Sequence, residues 1–275
     1  MERTALKDII DNRRRLAFAQ KLGIAGTALR ENGAVWLGML AFYLAFSRAA
    51  DSFHRMMESR RQRRGLPGLN SLALNRQIWD SWNWSAGGEE WTPNLDWKES
   101  LVSAVLVPNV PEGARVLEIG PGGGRWTEYL LPRSSRLVGV DIAAACIEEC
   151  RAKFGTDPRA EFHQTSGADL ACIPDTSIDV IWSFDVFVHI NAAEVAVYLA
   201  EFARVLAPGG RAIVHHGTEA GRNGGWRSNL TDARMSELIS EAGLERVATL
   251  ERWQGGEAVH ALSYGDLISV IERPS

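Results

Sequence analysis

The stretch Val116-Leu-Glu-Ile-Gly-Pro-Gly-Gly-Gly124 is a short apolar run that leads directly into a turn with four glycines. Because glycine has no Cβ atom, such a turn accepts positive φ values and lets backbone N–H groups approach a ligand closely. The next segment, residues 125–131, has helical character, so a helix N-terminus would also face that ligand. A strand, a glycine turn and a helix in this order predict a nucleotide-type cofactor site at the carboxyl edge of a parallel sheet.

Two acidic residues bear on which cofactor this turn would hold. Glu118 lies inside the apolar run, and Asp141 ends the next apolar run, residues 136–140. A carboxylate within an apolar strand costs free energy unless it has a partner, so Glu118 indicates a ligand contact more than a turn-stabilising role. Gly120 and Gly122 fit the start of the dinucleotide pattern G-x-G-x-x-G, but the third glycine is missing. The turn alone therefore leaves NAD(P) and other cofactors open.

Acid-x-Gly-x-Gly-x-Gly with an acid at the end of the second strand resembles the class I S-adenosylmethionine (SAM)-dependent methyltransferases. Segment 178–190 resembles the fourth strand of that family, and segment 202–214, with Pro208-Gly209-Gly210, resembles its next helix, turn and fifth strand. Three motifs in order favour SAM over NAD(P). The resemblance implies SAM as cofactor and S-adenosylhomocysteine as product. It also implies a Rossmann-like, doubly wound α/β fold, with a seven-stranded, mostly parallel sheet whose last strand is antiparallel.

The resemblance also implies roles for single residues. It places Glu118 near the methionine amino group of SAM. It places Asp141 at the ribose diol, where a carboxylate can accept two hydrogen bonds. On the adenine side, Asp169 stands slightly later than the family's usual acid. The predicted cofactor-binding residues are Glu118, Gly120, Gly122, Gly124, Trp126, Asp141, Ile142, Ala168, Asp169, Ser183 and Phe184.

Methyl transfer from a sulfonium mainly requires that acceptor and methyl group be aligned and that water be excluded. A hydroxyl or ammonium acceptor must also lose a proton. The predicted catalytic residues follow the fourth and fifth strands: Asp185, His189 and His216. Alternation along a strand predicts that one of the pair His215 and His216 faces the cleft. We expect this to be His216, while His189 is equally consistent with a base and with a helix cap.

Two aromatic or glycine-rich segments are predicted to contact the acceptor. The first, residues 75–97, contains five of the ten tryptophans, and the second is the loop 217–228 after the fifth strand. Long loops at the active edge of a sheet often select the substrate. The predicted substrate-binding residues are Trp91, His215, Trp226 and Arg227. No metal-ligand motif is present in the sequence, and no metal is expected.

The sequence predicts a helical, basic N-terminal extension (1–70), a tryptophan-rich lid (71–99) and a catalytic domain (100–275). Residues 1–64 carry a net charge of +7, and since the whole chain carries −4, the remainder carries −11. The uncharged run 34–46 is shorter than the roughly 20 residues that span a bilayer. The extension therefore favours either peripheral contact with a membrane or homodimerisation.

The predicted function is methyl transfer to a small-molecule or sugar-like hydroxyl. N-methylation and methylation of a membrane lipid are alternatives, and an NAD(P)-dependent dehydrogenase is a remote one. The expected partner is a small-molecule acceptor, and no nucleic acid is expected. Cys146, Cys150 and Cys172 form no disulfide framework. They fit a cytoplasmic location, with membrane association left open.

Overall fold

The computed structural model of the chain describes residues 18–64, 70–219 and 227–275. Contacts divide the chain into two compact units, residues 1–66 and 67–275. In the first unit, helix α1 spans Phe18–Arg64, and its backbone is interrupted at Gly33, where φ is 81° and ψ is 170°. No helix in the described ranges combines the length and hydropathy that a bilayer-crossing helix needs.

The second unit contains the predicted alternation of strands and helices. Within its described residues the strands are β1 Ala114–Ile119, β2 Ser134–Asp141, β3 Ala160–Gln164, β4 Ile178–Phe187, β5 Leu206–His216, β6 Glu245–Leu250, β7 Arg252–Gly255, β8 Ala258–Ala261 and β9 Leu267–Glu272. The helices are α2 Leu72–Asp80, α3 Leu95–Leu101, α4 Val107–Asn109, α5 Thr127–Leu130, α6 Ala144–Phe154, α7 Ala192–Val205 and α8 Asp232–Glu241. A π-helical turn, Val102–Leu106, joins α3 to α4.

Seven strands form one sheet in the order β3-β2-β1-β4-β5-β9-β6. The contacts from β3 through β5 are parallel, and β9 pairs antiparallel with both β5 and β6. The order reverses between β1 and β4, and in open α/β sheets ligands bind at the carboxyl ends of the strands beside such a reversal. The fold thus confirms a Rossmann-like sheet with an antiparallel last strand. The remaining pair, β7 and β8, forms a separate hairpin.

Alternation along the strands builds a hydrophobic core on each face of the sheet. One core contains Leu117 and Ile119 of β1 with residues of α7 and α8, and the other contains Val116 with residues of α3 and α6. Side chains two residues apart share a face of a strand, so Glu118 lies on the face of Val116. The same rule assigns opposite faces to His215 and His216 at the end of β5.

Candidate active site

The glycine turn leaves β1 with backbone conformations that side chains rarely adopt. The φ angles are 69° at Gly120, 56° at Gly122 and 88° at Gly124. A Cβ atom at Gly120 would lie 2.3 Å from a methyl group of Val186, and one at Gly122 would lie 2.8 Å from the ring of Trp84. Space and conformation both require glycine here, so backbone forms this wall of the site.

Glu118 lies beneath the turn and is almost fully buried. Thr127 at the start of α5 donates a hydrogen bond to its Oε2 atom over 2.6 Å. Among the described residues none forms a hydrogen bond with Oε1. Burial raises the pKa of Glu118 to about 8, with a further contribution from the nearby Asp141. A buried carboxylate with one unsatisfied oxygen suits a ligand that carries an ammonium group or brings ordered water.

Asp141 ends β2 beside the turn and lines the same cavity. Its Oδ1 atom accepts a hydrogen bond from the backbone of Ala143 over 2.9 Å, and its Oδ2 atom lies 3.4 Å from the donating nitrogen of Gly122. Burial raises its pKa to about 6 despite these hydrogen bonds. A carboxylate fixed at the strand end in this way can accept hydrogen bonds from a ribose diol.

A cavity of about 540 Å³ extends from the glycine turn to the ends of β4 and β5. One end is lined by the turn, Asp141, Ile142 and Gly167. The other end is mostly aromatic and apolar, with a polar group of side chains at its edge. That second end is lined by Trp97, Phe184, Asp185, His215, Arg227, Leu262, Tyr264 and Asp266. The volume and two-part lining fit a cofactor at one end and a small acceptor at the other.

The prediction that His216 faces the cleft is wrong, because the neighbouring His215 faces it instead. His215 lines the cavity and stacks on Phe184, with ring centroids 4.3 Å apart. His216 is fully buried on the other face, bonded to Ser269 Oγ over 2.8 Å and to the oxygen of Gly217 over 3.0 Å. Burial lowers the pKa of His216 to about 4. Strand alternation correctly predicts that one of the two faces the cleft, but it does not determine which one, and the structure places His215 there.

Asp185 connects the polar groups at the acceptor end. Its carboxylate lies 3.0 Å from His215 Nδ1 and forms an ion pair with Arg125. Although burial opposes ionisation, the hydrogen bond from His215 and the charge of Arg125 hold the pKa of Asp185 well below its usual range. Its backbone has φ of 62°, which for a residue other than glycine costs about 1–3 kcal/mol. The surrounding charges therefore hold Asp185 in a strained position at the end of β4.

Comparisons with known proteins agree with this geometry. A family model described as a methyltransferase domain matches residues 116–210. A probable SAM-dependent methyltransferase of Mycolicibacterium smegmatis is 30% identical over 151 residues, which cover 52% of this chain and 56% of the relative. A demethylmenaquinone methyltransferase of Tropheryma whipplei is 32% identical over 112 residues, 41% of this chain and 45% of the relative. The chain thus spans about half the length of these curated relatives.

A solved structure shows the same fold. The putative methyltransferase of Haloferax volcanii, in complex with a methyltransferase activator, has a TM-score of 0.55 and 21% identity, covering 72% of this chain and 98% of its own. Residues 116–210 thus match a methyltransferase domain, and the fold is the Rossmann-like fold of a solved methyltransferase. SAM is the cofactor of this domain. Three groups fit SAM in this structure: the Glu118 oxygen that no described residue bonds, the carboxylate of Asp141 and the glycine wall.

The cavity divides the site residues predicted for the second unit into two groups. Those that line the cavity are Gly120, Gly122, Trp126, Asp141, Ile142, Phe184, Asp185, His189, Trp91, His215 and Arg227. Those outside its lining are Glu118, Gly124, Ala168, Asp169, Ser183 and His216. Ser183 donates to the oxygen of Ile119 over 3.0 Å and joins β4 to β1, while Asp169 bonds Ser166 within its own loop. Trp226 lies outside the described residues.

Arg125, Leu262 and Asp266 are among the cavity residues that were not predicted from the sequence. Arg125, which directly follows the glycine turn, is buried and pairs with Asp185. Its position next to the motif was a usable signal. Asp266 and Leu262 come from the segment between β8 and β9, which carries no motif. Asp266 is buried, forms an ion pair with Arg227 and lies 3.4 Å from His215 Nε2.

The tryptophan segment, residues 71–99, covers the glycine turn. Trp84 packs against Gly122, and Trp79, Trp82, Trp84 and Trp91 form one cluster with ring centroids 5.4–6.0 Å apart. The buried Lys98 of α3 joins this segment to α5, because its ammonium group lies 2.5 Å from Glu89 and 2.7 Å from Glu128. Trp84, Gly87 and Trp91 of this segment line the cavity beside the glycine turn.

We expect Gly123→Ala to weaken SAM binding at least tenfold. A Cβ atom at Gly123 would lie 2.5 Å from the backbone Cα of Gly87, so the tryptophan segment must move away from the turn. Overpacking of this kind costs about 1–3 kcal/mol, and we expect at least about 1.4 kcal/mol here, which is tenfold in affinity, because the clash is with backbone. Isothermal titration calorimetry with the product S-adenosylhomocysteine measures the affinity of the cofactor site in each variant. Gly38→Ala is the control, because nothing lies within 4 Å of its Cβ position. Equal affinity of both variants would show that the cover does not contribute to binding.

Proposed function

We propose that this protein transfers the methyl group of SAM to a hydroxyl of a small, largely apolar acceptor, and that His215 accepts the hydroxyl proton. The observation that carries the proposal is His215 itself. It lies in the cavity wall, nearly buried, and none of the described residues forms a hydrogen bond with its Nε2 atom. The nearest charged group is the Asp266 carboxylate, whose Oδ2 atom lies 3.4 Å from Nε2. A histidine nitrogen that faces a cavity without a close hydrogen bond is suited to accept a substrate proton.

Asp185 sets the orientation and tautomer of this histidine. His215 Nδ1 lies 3.0 Å from Asp185 Oδ1 and 3.1 Å from the Asp185 backbone nitrogen. Nδ1 can either accept a hydrogen bond from the Asp185 backbone N–H or donate one to the Asp185 carboxylate. We propose the second arrangement for catalysis, because the carboxylate stabilises the Nδ1 proton and the lone pair of Nε2 is then directed at the cavity. Burial lowers the pKa of His215, but Asp185 and Asp266 outweigh it and raise the pKa above its ordinary value. The same two carboxylates stabilise the imidazolium that forms when the proton is taken.

The acceptor end of the cavity supports an apolar molecule with one polar group. Trp97 and Phe184 provide aromatic surface, with ring centroids 5.9 Å apart, and Leu262 provides aliphatic surface. Arg227 and Asp266, which pair with each other, stand at the polar edge. The match to a demethylmenaquinone methyltransferase also supports a small-molecule acceptor.

SAM, when bound, supplies a methyl group already activated as a sulfonium substituent. The residues of this chain then have three tasks. Glu118 and Asp141 hold the methionine amino group and the ribose of the cofactor, the tryptophan segment excludes water, and His215 with Asp185 removes the proton of the acceptor. Methyl transfer to an amine is the alternative that uses the same base.

The test is turnover with a panel of phenols, aliphatic alcohols, amines and sugars. The expected result is formation of S-adenosylhomocysteine together with a product that gains one methyl group, located on oxygen by NMR. A methyl group on nitrogen would replace the O-methylation proposal with the alternative. Tight SAM binding without methylated product from any acceptor class would contradict both.

A further inference from the structure

Helix α1 carries a continuous apolar stripe that faces solvent. Its members repeat at intervals of three, four and seven residues, so they share one face of the helix. Each is 60% or more exposed. The stripe consists of Val35, Met39, Phe42, Phe46, Phe53 and Met57. Single exposed apolar residues are ordinary, but an extended row of phenylalanines and methionines indicates a site that binds a membrane or another protein.

The same face continues into positive charge. Arg60 and Arg64 follow Met57 by three and seven residues, and both are exposed. Residues 1–64 carry a net +7, whereas the rest of the chain carries −11. An apolar stripe that ends in arginines on one helix face is complementary to a bilayer with anionic headgroups, in which the acyl boundary meets the apolar residues and the phosphates meet the arginines.

We propose that residues 34–64 of α1 lie in the surface of an anionic lipid bilayer. The uncharged run 34–46 is 13 residues long, which is too short to span a bilayer and typical of an interfacial segment. The break at Gly33 marks the start of this part of the helix. The proposal concerns α1 and is independent of the methyl acceptor.

A second copy of the chain is the rival occupant, and two features favour lipid. A two-stranded coiled coil buries only a narrow seam at heptad positions a and d. The run 34–46, by contrast, has no charged residue at any point around the helix. In addition, a parallel pair would place Arg60 of both copies at the same a position, where like charges repel. Anionic lipid neutralises those arginines.

The experiment is flotation of the full chain with vesicles of phosphatidylcholine alone and of phosphatidylcholine with one quarter phosphatidylglycerol. We expect binding to the anionic vesicles, at least tenfold weaker binding to the neutral ones, and weakening by salt. The double variant Phe46→Ser, Phe53→Ser removes two members of the stripe and should lower binding more than tenfold.

Two arginine variants with the same change of charge provide the matched control. Arg64 shares the face of Phe46 and Phe53, whereas Arg55, two residues after Phe53, lies on the opposite face. Arg64→Glu should lower vesicle binding about tenfold, and Arg55→Glu less than threefold. Circular dichroism and SAM titration show whether each variant retains its fold. Equal losses in both variants, or no binding by the unmodified chain to anionic vesicles, would overturn the proposal. So would a dimer in light scattering that the double phenylalanine variant dissociates without any effect on vesicle binding.

Discussion

Glu118→Gln is expected to weaken SAM binding by a factor of 100 or more and to stabilise the cofactor-free protein at alkaline pH. The buried carboxylate has one oxygen without a hydrogen bond from any described residue, and it suits the cationic amino group of the cofactor. A neutral amide of the same shape retains the contact with Thr127 but removes the charge. Loss of a buried, charge-assisted interaction costs about 3 kcal/mol, which corresponds to the stated factor.

The effect on stability follows from the raised pKa of Glu118. In the folded protein the pKa is about 8, against the ordinary 4.5. Below pH 4.5 the group is protonated in both states and contributes no difference. As pH rises from 4.5 to 8, the unfolded chain loses the proton while the folded chain retains it, so the folded state is progressively destabilised. This amounts to roughly 4 kcal/mol at pH 8 and approaches roughly 5 kcal/mol above it. Glutamine does not titrate and avoids the loss.

Thermal unfolding at pH 5 and pH 8 tests the effect on stability, and calorimetry at the same two pH values tests the effect on SAM affinity. The melting temperature of Glu118→Gln should exceed that of the unmodified protein at pH 8 much more than at pH 5. For the unmodified protein, SAM affinity should fall by up to tenfold per pH unit below 8, because binding requires the carboxylate. Glu112→Gln is the control, since that side chain is 71% exposed in a surface ion pair. If Glu118→Gln binds SAM as tightly as the unmodified protein, Glu118 does not contribute to the cofactor site.

His215→Gln is expected to lower kcat by a factor of 100 to 10,000, with little change in SAM affinity. General bases contribute about this much, and the side chain lies at the acceptor end of the cavity. His216→Gln is the informative neighbour, because that side chain contacts Ser269 and the oxygen of Gly217 on the opposite face of the sheet. It should retain the catalytic rate, although its melting temperature should fall.

The pH dependence of turnover separates a base from a structural histidine. A base must be neutral, and Asp185 and Asp266 raise the pKa of His215 despite its burial. At saturating SAM, kcat should therefore rise with pH until His215 is deprotonated and then level off. In His215→Gln the residual rate should lose this dependence, whereas His216→Gln should retain it. The opposite pattern would restore His216 as the base.

The fold and the cofactor end of the site follow from local sequence. Two features can be recognised in the amino-acid sequence itself: the glycines of a turn that requires positive φ, and a carboxylate inside an apolar strand. Both are recognisable because backbone geometry and burial restrict which residue types a position accepts. Segment 178–190 accordingly contains β4, and segment 202–214 contains the end of α7 and most of β5. The difference is that β5 begins at Leu206, so Pro208-Gly209-Gly210 lies within the strand and not in a turn before it.

The acceptor end was less predictable, because long-range contacts form it. Alternation places His215 and His216 on opposite faces, but the cavity face is determined by Phe184, Trp97 and Asp266 in distant segments. The register between β4 and β5 also shifts between Ser183 and Phe187, where Asp185 takes its unusual φ. Such an irregularity has no signature in the sequence. Asp266 reaches the site from a segment without any motif.

The tryptophan cluster gives the cofactor site an optical signal of its own. The rings of Trp84 and Trp91 line the cavity, and Trp84 touches the glycine turn. An adenine ring or a sulfonium placed against indole faces alters their emission, so occupancy can be followed by intrinsic fluorescence without a label. Because the same rings belong to the cover over the turn, a stopped-flow trace would separate cofactor entry from any later rearrangement of that segment.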